Sequence, residues 1–429
     1  MKYLPISNLL FIKNRQKFVQ AMKPQSIAVF NSNDIYPVSA DSTLPFAQHR
    51  DIFYLSGIDQ EESILVLFPY ATDEKHREIL FLRETNEHIA IWEGEKLNKQ
   101  QAFEVSGIKT VYWLVDFDKI MYGLMREANT IYYNINEHYR ASTEVETRED
   151  RFIKQFRAKY PLHHVERSNP ILQQIRGIKE PEEIELIQTA CNITEKGFRR
   201  LLDFVKPGVT EYEIEAELIH EFTRSRSKGF AYTPIIASGF NACVLHYIEN
   251  NKECKAGDVL LLDVAAEYAN YSSDLTRSIP VSGRYTPRQR AVYDAVLRVK
   301  DAATQLLVVG NNWVDYHKEV GKIMTAELLG LGLIDQTDVQ NENPDWPAYK
   351  KYFMHGTSHH MGLDTHDYGS LREFKPGMVF TIEPGIYIPE ENLGIRIEDN
   401  YVIQNQGEPF NLMQNIPILA EEIEDLMNQ

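Results

Sequence analysis

The chain has 429 residues, with 45 Lys and Arg against 62 Asp and Glu, for a formal net charge of −17. That acidity disfavours nucleic acid or an anionic membrane as a partner, and the length suits roughly two or three domains with sizeable cores. No apolar run reaches membrane-spanning length, and the three cysteines (Cys191, Cys243, Cys254) lack metal spacing, so reduced thiols in a cytoplasmic protein are expected.

The N-terminal stretch MKYLPISNLLFIKNRQK has only a short apolar patch, broken by Ser and Asn, with no small-residue cleavage site after it. A secretory signal is therefore not expected. Residues 1–170 alternate strand-like and helix-like stretches. SIAVF, SILVLF, EILFL, TVYWLV and TIYYNI are apolar or β-branched runs that predict an α/β domain with a mixed sheet. This region carries no glycine-rich phosphate loop and no Cys/His cluster. The run STEVETREDR (142–151) predicts a charged helix or exposed connector, and RSNPILQQIR leads into a second domain, residues 171–429.

Longer amphipathic helices begin at Lys179. Pro181 and the acids behind it mark a helix start, with apolar positions at Ile184, Ile187, Cys191 and Phe198. Thr210 with Glu213 is a capping-box pattern that opens a second helix. The runs GDVLLLDV and YSSDLTRSI, joined by AAEYAN, then predict a hairpin in which Asp263 and Asp274 lie equidistant from the turn. Two more helices follow, from Thr286–Pro287 to about Gly310 and over roughly 313–330.

The stretch from His355 to Asp399 comes next, beginning HGTSHHMGLDTHDYG. It holds His355, His359, His360 and His366, then MVFTIEPGIYI and LGIRIEDNYVI around the turn-forming PEEN. In that hairpin Glu383 falls opposite Glu398, and opposed side chains sit about 4.5–5.5 Å apart at Cβ. Two carboxylates that close repel unless a proton or a cation lies between them. Taken alone, either acidic pair would ordinarily be a solvated face, and a lone histidine ordinarily structural. Asp263 and Glu383, however, follow the apolar runs VLLL and MVFTI, where an unpaired charge is costly. Two matching acidic hairpins with HGTSH between them predict an oxygen-rich site. Such a donor set suits two adjacent divalent ions of the Mn²⁺ type better than one tetrahedral Zn²⁺. The order helix, helix, acidic hairpin, given twice, predicts two similar halves around one centre.

On the motifs NACVLHYIEN, LLLDVAAEYANYSSDLTRSIPV, HGTSHHMGLDTHDYG, TIEPGIYI and GIRIEDN, the chain closely resembles the pita-bread metallopeptidases, and within them the aminopeptidase P group. The resemblance implies a creatinase-like α/β domain (1–170) and a pita-bread domain (171–429), whose pseudo-twofold halves surround a curved antiparallel sheet. It implies that Asp263, Asp274, His359, Glu383 and Glu398 bind two metal ions, Mn²⁺ first, with Co²⁺, Zn²⁺ or Fe²⁺ as alternatives. A hydroxide between them would attack the scissile carbonyl, and Glu383 would take part in proton transfer. His246, His355 and His366 would hold substrate and stabilise developing charge, Arg396 would orient Glu398, and Tyr387 would belong to the substrate site. Asp41 resembles a residue that reaches a neighbouring subunit's site, and Trp92 one that walls the substrate's proline. Without the resemblance, Asp41 reads as a solvated loop residue and Trp92 as a core or surface residue.

The implied reaction is release of the N-terminal residue from peptides with proline second; the alternatives are a prolidase acting on Xaa-Pro dipeptides and a non-catalytic peptide-binding relative. A homodimer or homotetramer is implied. Two features depart from the pattern: His360 stands where an aromatic residue is common, and only SLREF links HDYG to KPGM.

Overall fold

A computed structural model describes residues 2–141, 143–369 and 372–429. Ser142 of the charged connector and positions 370–371 of the SLREF link lie outside the described residues. The backbone divides into two compact units, Tyr3–Arg176 and Gly177–Gln429. The division falls within the helix Asn169–Gly177, a few residues beyond the expected boundary.

The N-terminal unit is built on six strands: β1 (Ser26–Asn31), β2 (Ser63–Leu67), β3 (Glu78–Leu82), β4 (Thr110–Trp113), β5 (Thr130–Tyr133) and β6 (His164–Arg167). They lie in the order β4-β3-β2-β1-β5-β6. Only β2 runs against its neighbours, so the other five strands share one direction. The five apolar runs of the sequence became the first five strands. The edge strand β6, with the sequence HVER, carried no apolar signal and is largely exposed. Helices α1 (Asn8–Ala21), α2 (Arg50–Ser56), α3 (Glu87–Glu93), α4 (Lys99–Ser106), α5 (Phe117–Leu124), α6 (Arg148–Lys159) and α7 (Asn169–Gly177) complete the unit. Only the end of STEVETREDR is helical, because Thr147 caps α6 through its hydroxyl and Asp150. Asp51, fully buried in α2, pairs with Arg176 at 2.7 Å and accepts from Asn134 at 2.9 Å.

In the second unit α8 (Pro181–Phe204) starts with Pro181 in its first turn and Glu182 and Glu183 behind it, as expected. Its apolar stripe buries Ile187, Cys191 and Phe198, and Ile184 is half-buried. Helix α9 (Glu211–Arg224) opens with the Thr210–Glu213 capping box. The two helices approach closely because Gly197 has no side chain: a Cβ there would lie 2.7 Å from the Phe222 ring. Strands β7 (Ile235–Ser238), β8 (Val259–Asp263), β9 (Glu267–Tyr268), β10 (Tyr271–Ser272) and β11 (Thr276–Pro280) follow. Then come α10 (Pro287–Leu306), α11 (Trp313–Gly330) and α12 (Gln336–Gln340), and strands β12 (Val379–Ile382), β13 (Gly385–Ile388), β14 (Leu393–Arg396), β15 (Asp399–Val402) and β16 (Phe410–Asn411), before α13 (Ala420–Met427). Two helices and a hairpin thus occur twice. Among the described residues no helix is long and apolar enough to cross a membrane.

The register of the two hairpins decides what faces what. In the second, Gly385↔Arg396 and Ile382↔Asp399 belong to one continuous register, which puts Glu383 across from Glu398 as the sequence predicted. The first differs. Its turn is Ala269–Asn270, both at positive φ (53° and 68°), so Tyr268 pairs with Tyr271 and Asp263 pairs with Thr276, not Asp274. Centring the turn one residue too early had moved the pairing by two positions. A shift of two keeps each side chain on its face, so Asp263 and Asp274 are diagonal neighbours on one surface rather than directly opposed.

Candidate metal centre

The two hairpins join where their regular ladders break. Pro384 cannot donate a backbone hydrogen bond, and the Glu383 amide turns instead to the Thr357 carbonyl (2.7 Å). The Glu398 amide turns to the Thr276 carbonyl (3.0 Å). Each glutamate is therefore fixed by a segment outside its own hairpin: HGTSH on one side, the first hairpin on the other. The Thr276 hydroxyl also donates to Glu398 Oε2 at 2.7 Å.

These constraints gather ligand atoms of Asp274, His359 and Glu398 within 4.8 Å of one another. His359 Nε2 lies 3.4 Å from Asp274 Oδ2 and 3.8 Å from Glu383 Oε1. Its other nitrogen, Nδ1, donates to the His360 carbonyl at 3.0 Å, which leaves Nε2 to face the carboxylates. A histidine tied by one nitrogen and offering the other is the arrangement metal ligands show. Asp263 is not one of the three. Arg396 Nη2 donates to its Oδ2 at 2.6 Å, and the Tyr232 hydroxyl to its Oδ1 at 2.5 Å.

Electrostatics reflect the crowding. Burial, then the Asp274, Glu383 and Asp263 charges, raise the Glu398 carboxyl well above the ordinary range. Burial raises Asp263 as well, against the pull of Arg396. Glu383 is pushed up to about 7, mainly by burial, with His359 and Arg396 holding it down. Burial alone would lower His359, but the Asp274 and Glu383 carboxylates outweigh it and the imidazole is raised. Such a set of buried acids, with Arg396 the arginine among them, is short of positive charge. Divalent cations would supply it, and the donor set of carboxylate oxygens plus one imidazole fits them.

Behind the acids runs a chain of hydrogen bonds. Arg396 Nη1 donates to the Tyr387 hydroxyl (2.8 Å), which donates to His355 Nε2 (2.7 Å). His355 Nδ1 in turn donates to the Gly356 carbonyl (2.8 Å). Burial, helped by Arg396, drives His355 down to about 3, so its ring is neutral. Arg396, expected to orient Glu398, forms its ion pair with Asp263 and donates from Nε at 3.1 Å to the Thr276 hydroxyl, which itself donates to Glu398. Tyr387, expected at the substrate, is 1 % exposed, with its hydroxyl committed to Arg396 and His355.

The remaining expected residues are placed as follows. The His366 ring lies tilted against that of His359, with centroids 3.8 Å apart. His246 is exposed on the loop after the 3₁₀ turn Gly239–Cys243, near enough to His355 to act on its charge. His360, which stands where an aromatic residue is common, is buried with its ring 4.1 Å from that of Phe380. In the N-terminal unit Asp41 lies in an exposed loop, and Trp92 is 79 % exposed on α3. Sequence reasoning missed Tyr232, Thr276 and His317; the last accepts or donates at Nδ1 to the Thr357 hydroxyl at 3.2 Å. Tyr232 and His317 stand outside the acidic and histidine-rich motifs, and Thr276, two residues after Asp274, carries no ligand chemistry of its own to mark it.

Residues 185–405 match the model of metallopeptidase family M24, and residues 11–132 match the aminopeptidase P N-terminal domain. The chain is 34 % identical to the Xaa-Pro aminopeptidase of Escherichia coli (strain K12), covering 98 % of each chain. It is 30 % identical to human Xaa-Pro aminopeptidase 3 over 96 % of this chain and 82 % of that one. Among solved structures it superposes on zinc-substituted E. coli aminopeptidase P in complex with product, with a TM-score of 0.87 and 32 % identity over 99 % of both chains. Pseudomonas aeruginosa aminopeptidase PepP gives the same TM-score at 29 % identity, over 99 % of this chain and 98 % of that one. The chain belongs to metallopeptidase family M24. Its two units are the aminopeptidase P N-terminal domain and the pita-bread catalytic domain, and it is a metal-dependent aminopeptidase.

Proposed function

We propose that the enzyme releases the N-terminal residue from peptides whose second residue is proline. The observation that carries this reading is the convergence of Asp274, His359 and Glu398 within 4.8 Å, flanked by Glu383 and by a neutral His355, in a chain similar to Xaa-Pro aminopeptidases over its whole length. Asp263, Asp274, His359, Glu383 and Glu398 would hold two divalent ions, and the oxygen-rich set favours manganese. Bound divalent ions activate a water for attack on a carbonyl near neutral pH.

The chain's own groups do the rest. Glu383, whose Oε1 lies 3.8 Å from His359 Nε2, is placed to take a proton from the attacking water and return it to the departing proline nitrogen. Arg396 and Tyr232 hold Asp263 from behind. The Arg396–Tyr387–His355 chain fixes the imidazole next to Glu383, whose Oε2 lies 3.7 Å from His355 Nδ1. His366 and His246 are the histidines assigned to the substrate and to the negative charge that builds on its carbonyl oxygen. Trp92 and Asp41 are assigned to substrate contacts in a homodimer or homotetramer. With its cysteines free of disulfides, the protein is assigned to the cytoplasm.

The deciding experiment offers the manganese-loaded enzyme an Xaa-Pro-Yaa tripeptide, the matching Xaa-Ala-Yaa tripeptide and an Xaa-Pro dipeptide. Cleavage of the proline tripeptide, stopped by chelator, is expected. Turnover of the dipeptide alone would make the protein a prolidase, and equal turnover of the alanine peptide would remove proline from the specificity.

A further inference from the structure

A cavity lies wholly inside the N-terminal unit. It is a half-open cleft of about 660 Å³ between α5 and α6. That volume lies within the range of small-molecule sites, about 300–1,000 Å³. The cleft sits where Asn31 ends β1 and Leu114 and Val115 follow the end of β4. β1 and β4 run in the shared direction, so this is the carboxyl end of the sheet. In open α/β sheets, ligands bind in the crevice outside the carboxyl ends of the strands.

Its two walls differ in chemistry. One is aromatic: Phe152 stacks on Phe156 with centroids 4.8 Å apart, and Phe117 meets Phe152 edge-on at 6.1 Å. Val115 stands at the rim, 80 % exposed. The other wall brings three cations, Arg148, Arg151 and Lys159, against one carboxylate, Asp118. Two of these cations are already neutralised: Arg151 grips Asp34 with both of its carboxylate oxygens (2.8 and 2.7 Å), and Lys159 pairs with Asp118 at 2.7 Å.

Arg148 differs. Half-buried, it donates one hydrogen bond, from Nη1 to the Ser32 hydroxyl at 2.8 Å, and among the described residues no carboxylate oxygen lies within 4.0 Å of its nitrogens. It also borders a smaller cleft whose wall carries Asp34, Glu61 and Glu62. Its sequence neighbour Glu149 turns inward to Asn31, accepting from that residue's amide and side chain at 2.8 Å each. The planar fork of a guanidinium matches a carboxylate.

We infer that this cleft is a ligand site for a small organic carboxylate with an aromatic or branched apolar body, its carboxylate on Arg148 and its body against Phe152 and Phe117. The site is separate from the metal centre and does not depend on the reading of the peptidase activity.

The test titrates 3-phenylpropionate into the full-length, metal-loaded protein by calorimetry. Saturable one-to-one binding is expected, unaffected by a saturating proline tripeptide. Arg148→Gln should weaken it roughly tenfold or more, the usual cost of a lost charge-assisted pair. Val115→Glu, a change at an exposed rim position that leaves the core intact, should weaken it too, and the uncharged 3-phenylpropionamide should bind at least about tenfold less tightly than the acid. No saturable binding would overturn the inference. So would equal affinity in both variants, equal affinity for the amide, or displacement by the tripeptide, which would place the acid at the metal centre.

Discussion

His359 and Asp274 are the residues on which the chemistry turns. Replacing either by alanine removes one of the three donors that converge within 4.8 Å. His359→Ala and Asp274→Ala are expected to lose bound metal and at least about a hundredfold in activity, the cost of removing groups that stabilise a transition state directly. Metal analysis beside turnover checks this; either variant with full metal and full activity would contradict the assignment. Tyr387→Phe makes a subtler cut. It deletes the hydroxyl between Arg396 and His355 and leaves a buried donor and a buried ring nitrogen without their partner. Such a loss costs about 1–3 kcal/mol. Metal content should therefore be unchanged while kcat falls roughly tenfold or more. A fall in metal content instead would place Tyr387 in support of the metal ligands.

The hairpins hold these side chains through contacts well outside the motifs. Asp399, one residue past Glu398, pairs with Arg277 at 2.6 Å and Lys300 at 2.7 Å, all three fully buried. Burial would raise its carboxyl, but the two cations outweigh it and hold it below the usual range. Arg277 also donates to the Glu398 carbonyl at 2.7 Å, tying β11 to the link between β14 and β15 that carries the ligand. Asp399→Asn leaves two buried cations without their counter-charge and is expected to cost about 3–5 kcal/mol of stability. Denaturant unfolding measures it, and a loss well under 1 kcal/mol would contradict the role given to this cluster. Gly394 makes a second such contact. A Cβ there would lie 2.2 Å from the Ala242 carbonyl, so Gly394→Ala should destabilise by about 1–3 kcal/mol.

These elements also show what was legible in the chain itself. The apolar runs, the proline at the head of α8, the capping box of α9 and the register of the second hairpin could all be read from local pattern. The first hairpin misled because Ala269, a residue that rarely takes positive φ, occupies the turn beside Asn270. The partners of Asp263, namely Tyr232 and Arg396, come from distant segments, and pattern reading carries no information about them. His360 looked like one more site histidine, and only the packing of Phe380 and Gly369 around it shows that it is buried.

For the protein as a whole, metal, protons and stability are linked. Burial lifts the Glu383 carboxyl to about 7 from an unfolded value of 4.5, and raises Glu398 and Asp263 as well. At these three carboxyls the folded, metal-free chain holds more protons than the unfolded chain, so their contribution to stability falls as pH rises from about 4.5 to about 7. Divalent ions displace those protons, so the gain in Tm on adding Mn²⁺ should grow across the same window, with protons released on binding. A gain that shrinks as pH rises would contradict the account. Of all measurements, the metal stoichiometry of the purified enzyme, set beside that of Glu398→Gln and read together with peptide cleavage, tests the central claim most directly. Two divalent ions per wild-type chain are expected, with at least one lost and cleavage abolished in the variant. A wild-type chain that cleaves proline peptides with no divalent ion bound would contradict it.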